Sequence, residues 1–211
     1  MREARVAQDL RRHFLHKGKS MEERHRPVPL TIARQIDLTH DRVLKSVAVS
    51  VKGLRPRRIL DVGTGYGMSL NLLARRFGKR SRIYSVDASL VVVREMKRAM
   101  REHRYSRGVV IKRANAERLP FKTKHFDLAV SLFALHHFSN PKRALYEMGR
   151  VTSHQGKLIV ADWRPEAGKP LMLHAASDIP SPNFVNTQLK RLGYRTTNRI
   201  RRYWYLIEAM K

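Results

Sequence analysis

Seven residues constrain this chain more than any others. In Asp61-Val62-Gly63-Thr64-Gly65-Tyr66-Gly67, three glycines alternate with larger residues. The run follows the apolar stretch of residues 58–62 and precedes residues 68–77, whose apolar spacing is helical. A strand that turns through glycines into a helix opens a βαβ unit and suits a nucleotide loop. One glycine lets the chain leave the strand sharply, another lets backbone approach a ligand, and the helix start supplies free N–H groups. A dinucleotide loop, G-x-G-x-x-G, would place its third glycine one residue later, where Met68 stands. The alternative reading is a plain tight turn. Asp87 ends the next apolar stretch, about 20 residues on, where an acid can accept hydrogen bonds from both ribose hydroxyls. Alone, such an Asp would simply cap the following helix.

The rest of the chain repeats the strand–helix alternation. Strands are expected at residues 58–62, 82–86, 109–113, 126–131 and 157–161, and helices at 68–77, 90–104, 141–150 and 184–192. Two last strands, near 195–201 and 203–209, can pair as a hairpin. Before the first strand, helices are expected over 2–17, 31–38 and 41–51, with a polar linker or lid from Lys19 to Pro29. Strands alternating with helices predict an α/β chain with a mostly parallel sheet covered on both faces. We read one domain: 1–52 as an N-terminal helical segment or lid, 53–165 as the cofactor-binding core, and 166–211 as an acceptor-side segment with a C-terminal hairpin.

Cysteine is absent from the 211 residues, which removes disulfides, thiolate metal sites and cysteine nucleophiles together. No run reaches the roughly 18 apolar residues of a membrane span. The start, Met1-Arg2-Glu3-Ala4-Arg5, has no apolar signal core, so a cytoplasmic location is expected. Charge is the unusual feature: 44 Lys and Arg against 17 Asp and Glu give +27. Such a surface attracts polyanions, nucleic acid first among them. Arg94, Lys97, Arg98, Arg101 and Arg104 share a helix, read either as an RNA surface or as an ordinary solvated face.

Four blocks carry a family resemblance: residues 59–67 around the glycine loop; Val86-Asp87-Ala88-Ser89; Ala114-Asn115-Ala116-Glu117-Arg118-Leu119-Pro120-Phe121; and residues 126–138, ending Ala134-Leu135-His136-His137-Phe138. A fifth runs from Ala144 to Val151 and on to residues 156–160. Over residues 57–165 the chain resembles the class I S-adenosylmethionine-dependent methyltransferases, in particular the broad group that includes quinone-biosynthesis C-methyltransferases. The resemblance implies a Rossmann-like, doubly wound sheet of seven strands, the last antiparallel. It implies S-adenosylmethionine as cofactor and S-adenosylhomocysteine as product. Asp61 would anchor the loop and lie near the methionine end, Gly63, Thr64, Gly65 and Gly67 would bind that end, and Asp87 with Ala88 would meet the ribose. Asn115 and Ala116 would lie beside the adenine, with an amide where the family usually has an acid; its carbonyl can still accept from an amino group. Ser131 and Leu132 would line the cofactor from the other side. Ser153-His154-Gln155-Gly156 stands in place of the family's Pro-Gly-Gly turn.

Transfer from a sulfonium is an in-line displacement, and the protein chiefly aligns the partners and excludes water. A general base is optional. His136 and His137 after the fourth strand and Asp162 after the fifth are candidates, at the sheet edge where ligands bind. Otherwise a histidine packs against a helix and Asp162 caps a turn. Trp163, Met172, Leu173 and His174 line an acceptor pocket or belong to the core. A small-molecule acceptor is the first expectation; RNA as substrate, or a nucleic-acid-binding protein without turnover, are the alternatives.

Overall fold

The structure is a computed structural model and describes residues 30–101, 108–167 and 178–211. The helix expected over 2–17, the polar stretch after it, and Met172, Leu173 and His174 lie outside the described residues.

The described chain runs α1 (Leu30–Ser50), β1 (Arg58–Val62), α2 (Met68–Phe77), β2 (Arg82–Asp87), α3 (Leu90–Arg101), β3 (Val109–Arg113), β4 (Phe126–Leu132), α4 (Pro141–Val151), β5 (Thr152–Trp163), α5 (Pro182–Arg191), β6 (Arg195–Ile200) and β7 (Trp204–Met210). One seven-stranded sheet has the order β3-β2-β1-β4-β5-β7-β6. The first five strands pair in parallel, and β7 runs antiparallel to both β5 and β6. The chain winds outward from β1 to β3, then returns to β4 beside β1. That reversal opens a crevice at the carboxyl ends of β1 and β4, where open α/β sheets bind ligands.

Each face has its own core, because buried parallel strands present apolar residues on both sides. Ile59, Ile83, Leu128 and Ile159 pack with Val43 and Val47 of α1, Leu70 and Leu73 of α2, and Val92 and Met96 of α3. Leu60, Val86, Ala129, Leu158 and Ile207 pack with Leu145 and Met148 of α4 and Val185 and Leu189 of α5. Full burial stabilises by roughly 1.5–3 kcal/mol for a large apolar side chain. No helix covers the β2–β3 half of the second face among the described residues. The segment 114–125 lies there instead, held by Glu147 and Arg150 of α4. Glu147 accepts the Leu119 N–H at 2.9 Å, and Arg150 donates to Glu147 at 2.7 and 2.8 Å and to the carbonyls of Leu119 and Phe121. Those Arg150 hydrogen bonds hold the buried Glu147 carboxyl below its ordinary range.

Two local expectations are corrected. The two helices expected over 31–38 and 41–51 are one, α1. Thr39, between the two expected helices, donates its hydroxyl to the Gln35 carbonyl one turn back at 2.9 Å, so its side chain is satisfied within the helix on an oxygen with two lone pairs, and the helix continues. β5 also starts five residues earlier than the 157–161 expectation. Ser153–Gly156 carries no proline to block pairing, and Thr152 pairs with Phe126 ahead of a register shift. At the root of α1, Lys157 Nζ donates to the Ser50 carbonyl at 2.7 Å and meets Glu208 at 2.5 Å, while Ser50 Oγ donates to Glu208 at 2.7 Å.

Candidate active site

The glycine loop leaves β1 with Gly63, Gly65 and Gly67 all at positive φ, which side-chain-bearing residues rarely adopt. Gly63 has a second constraint: a Cβ there would lie 2.4 Å from Ala134 Cβ after β4. Gly65 differs. Its Cβ position meets nothing nearer than the Gly63 carbonyl at 3.9 Å, so the loop is open on that side.

Asp61 is fully buried. Ser69, the second residue of α2, donates to its Oδ1 at 2.5 Å, and Ser85 of β2 donates to its Oδ2 at 2.6 Å. Because Ser85 spends its proton on Asp61, its contact with the Thr64 hydroxyl must take Thr64 as donor. One chain of hydroxyls thus ties β1, β2, α2 and the loop together. The anchoring role expected of Asp61 is this network. Sequence reading missed Ser69 and Ser85; their signal was inward-facing serines within a turn or a strand of a buried acid.

Burial pushes the Asp61 carboxyl up to about 6, against the lowering pull of Ser69 and Ser85, with the charge of Asp87 adding to the rise. A raised folded-state pKa contributes stability that is fully present below about 3.8, the unfolded value, and is lost as pH rises through about 6. Asp61→Asn removes that dependence. The stability difference between the parent and Asp61→Asn should therefore fall by on the order of 3 kcal/mol from about pH 4 to about pH 7, measured as urea midpoints. A constant difference, or one that grows with pH, would contradict this reading.

Asp87 Oδ2 accepts the Gly65 N–H at 3.1 Å and Oδ1 accepts the Ser89 N–H at 2.9 Å. It holds the turn into α3, where Ser89 Oγ accepts the Val92 N–H at 3.4 Å, and clamps the loop at once, and a carboxylate has room for two further donors. Gly63 and Thr64 donate their N–H groups to the Val86 carbonyl. Ala88 is exposed, and its carbonyl accepts from Arg113 Nε. Asn115 is exposed beside the buried Ala116, and its Oδ1 already accepts the Glu117 N–H at 2.8 Å. Ser131 and Leu132 are both buried at the end of β4, and the Ser131 hydroxyl has no hydrogen-bond partner among the described residues. An open loop face, an acid with spare lone pairs and an orphaned hydroxyl at the crevice fit an adenosine ligand with a polar tail.

The histidine candidates separate. His136 is buried and His137 exposed, with rings 4.0 Å apart. His136 Nδ1 lies 2.6 Å from Asp162 Oδ1, its backbone N–H donates to Asp162 Oδ2 at 3.0 Å, and Trp163 N–H donates to Asp162 Oδ1. Two of the residues read separately in the sequence are one hydrogen-bonded pair across neighbouring strands. Asp162 holds the Nδ1 proton and leaves Nε2 as the ring's accepting nitrogen. Next to it lies an aromatic cluster that sequence reading largely missed. Phe133 packs 4.6 Å from His40 of α1 and 4.6 Å from Trp163, with Ile32, Ile36, Ile179 and Tyr203 around them. Phe133 stands at φ +52, a strained state for a bulky residue costing on the order of 1–3 kcal/mol. Its N–H is held by the Ala161 carbonyl at 2.8 Å.

Comparison with known proteins agrees with this geometry. A family model described as a methyltransferase domain matches residues 60–160. The ubiquinone/menaquinone biosynthesis C-methyltransferase UbiE of Bordetella parapertussis is 30% identical over 191 residues, covering 86% of this chain and 70% of that protein. Its counterpart in Cupriavidus necator is 28% identical over 195 residues, covering 86% and 74%. A solved S-adenosylmethionine-dependent methyltransferase from Aquifex aeolicus has a TM-score of 0.66 at 24% identity, covering 81% of this chain and 88% of that one. The PH0226 protein from Pyrococcus horikoshii shares the fold with a TM-score of 0.68 at 19% identity, covering 92% and 99%. The chain belongs to the class I S-adenosylmethionine-dependent methyltransferases, with UbiE-type enzymes among its homologues. S-adenosylmethionine is its cofactor, and the expected seven-stranded Rossmann-like sheet is the one observed.

Proposed function

We propose that this methyltransferase methylates a carbon of a small, ring-bearing acceptor of the quinol type. The observation that carries the reading is the aromatic cluster of His40, Phe133 and Trp163 beside the His136–Asp162 pair. The names of the UbiE relatives, which speak of ubiquinone and menaquinone, support the same acceptor class. Asp61, Gly63, Thr64, Gly65, Gly67, Asp87, Ala88, Asn115, Ala116, Ser131 and Leu132 hold the cofactor in this reading. When bound, S-adenosylmethionine supplies an electrophilic methyl group on its sulfonium. His136 Nε2 takes the proton of a ring hydroxyl, which raises the electron density of the neighbouring ring carbon. Asp162 positions the imidazole, and the rings around Phe133 exclude water and orient the acceptor plane. His137, exposed beside His136, is left as a contact at the mouth of the site. A cytoplasmic location is consistent with this role, and no described helix is long and apolar enough to cross a membrane.

The test offers methyl-labelled S-adenosylmethionine with a short-chain demethylated quinol under reducing conditions, and separately with total RNA. Label in the quinol is the expected result. Label in the RNA alone, or in neither despite cofactor binding, would overturn the proposal.

A further inference from the structure

The charge of this chain has a feature that methyl transfer does not use. At the amino edge of the sheet, opposite the glycine loop, Arg58 of β1 and Arg82 of β2 are direct register partners. Adjacent strands lie about 4.8 Å apart, and like charges placed opposite one another destabilise a sheet. Neither guanidinium has an ion pair among the described residues. The acid of this edge, Asp127, accepts the backbone N–H groups of Arg57 and Arg58. Lys122 and Lys124 are exposed on the segment leading into β4.

Half-buried rings stand among these cations. Tyr84, two residues along β2 on the same face as Arg82, has Phe121 at 5.5 Å and His125 at 6.1 Å, and Phe121 and His125 are parallel to within 6°. Burial first, then the charges of Arg58 and Lys122, push the His125 imidazole below its ordinary range, with Asp127 opposing. The segment 114–125 covers this half-face in place of a helix, and Tyr84, Phe121 and His125, packed on one another and only partly buried, each keep some surface exposed beside the cations. Cations that track a backbone and rings on which bases stack are the two parts of a single-stranded nucleic-acid platform.

We infer that the β1–β2 end of this face, with residues 121–125, binds single-stranded RNA through phosphate contacts at Arg58 and Arg82 and base stacking at Tyr84. The site is about 13 Å from the glycine loop, the length of β1 at its rise per residue, and does not depend on what the enzyme methylates. An anionic bilayer fits less well. Peripheral docking needs protruding apolar side chains, and the exposed large ones, such as Val49, Leu90 and Val91, lie on other elements.

The test follows the anisotropy of a fluorescein-labelled oligouridylate over a salt series, with the full chain. The parent should bind at low salt, and Arg58→Ala with Arg82→Ala should lower the salt slope by about 1.4, two phosphates' worth for a single strand. Tyr84→Ala should bind about tenfold more weakly, with Tyr84→Phe restoring parent affinity. Calorimetry with S-adenosylhomocysteine should be unchanged in every variant; if Tyr84→Ala fails this control, the arginine pair and Tyr84→Phe decide. No binding at low salt, or a slope unaltered by loss of the arginines, would overturn the inference. So would arginine-dependent sedimentation with phosphatidylcholine–phosphatidylglycerol vesicles in the absence of RNA binding.

Discussion

Replacing Asp87 by alanine should weaken S-adenosylhomocysteine binding by at least about a hundredfold. Two effects combine. The Gly65 and Ser89 N–H groups lose their acceptor, so the open side of the loop is no longer held against β2. The two hydroxyls of the ribose assigned to this carboxylate lose charge-assisted bonds worth roughly 1.5–3 kcal/mol each. At about 1.4 kcal/mol per factor of ten, the ribose contacts alone account for the hundredfold. Asp87→Asn keeps one acceptor oxygen and should fall between. Titration calorimetry decides the matter: an alanine variant within about threefold of the parent would remove the ribose from Asp87.

His136→Gln should lower kcat by about 10²–10⁴-fold, the range of a positioned general base, and leave the cofactor affinity unchanged. Glutamine can keep a donor toward Asp162 but cannot take a proton from an acceptor hydroxyl. Asp162→Asn should cost less in kcat, because the imidazole remains while its orientation is released from the 2.6 Å contact. Single-turnover rates with saturating cofactor separate chemistry from binding. A His136→Gln enzyme with parental kcat would reduce the pair to a structural tie between β4 and β5.

The cofactor side of the crevice was legible in the sequence, because its signal is local. Three glycines within five residues, flanked by a strand pattern and a helix pattern, occur together for one geometric reason, and Asp87 follows at strand-end spacing. The acceptor side was less legible. His136 and Asp162 were each visible at a strand end, but their bond depends on β4 and β5 being neighbours with Ser131 opposite Val160, a matter of pairing. Phe133 stood in plain view, yet its left-handed backbone and its contact with His40, 93 positions away, are tertiary. The ring group on the second face was invisible for a related reason: Tyr84 is far in sequence from Phe121 and His125 and meets them only when β2 and β4 flank β1.

The tie of Lys157 and Glu208 to Ser50 has a mechanical meaning. α1 is 21 residues long, a rod of about 30 Å, fastened at its root to the two strands that also carry Asp162 and Tyr205. Its tip bears Ile32 and Ile36 against Phe133 and Trp163. A small tilt at the fastening is magnified along that length, so the fit around the acceptor ring is set in part at the far end of the molecule, by an ammonium group that never comes near it.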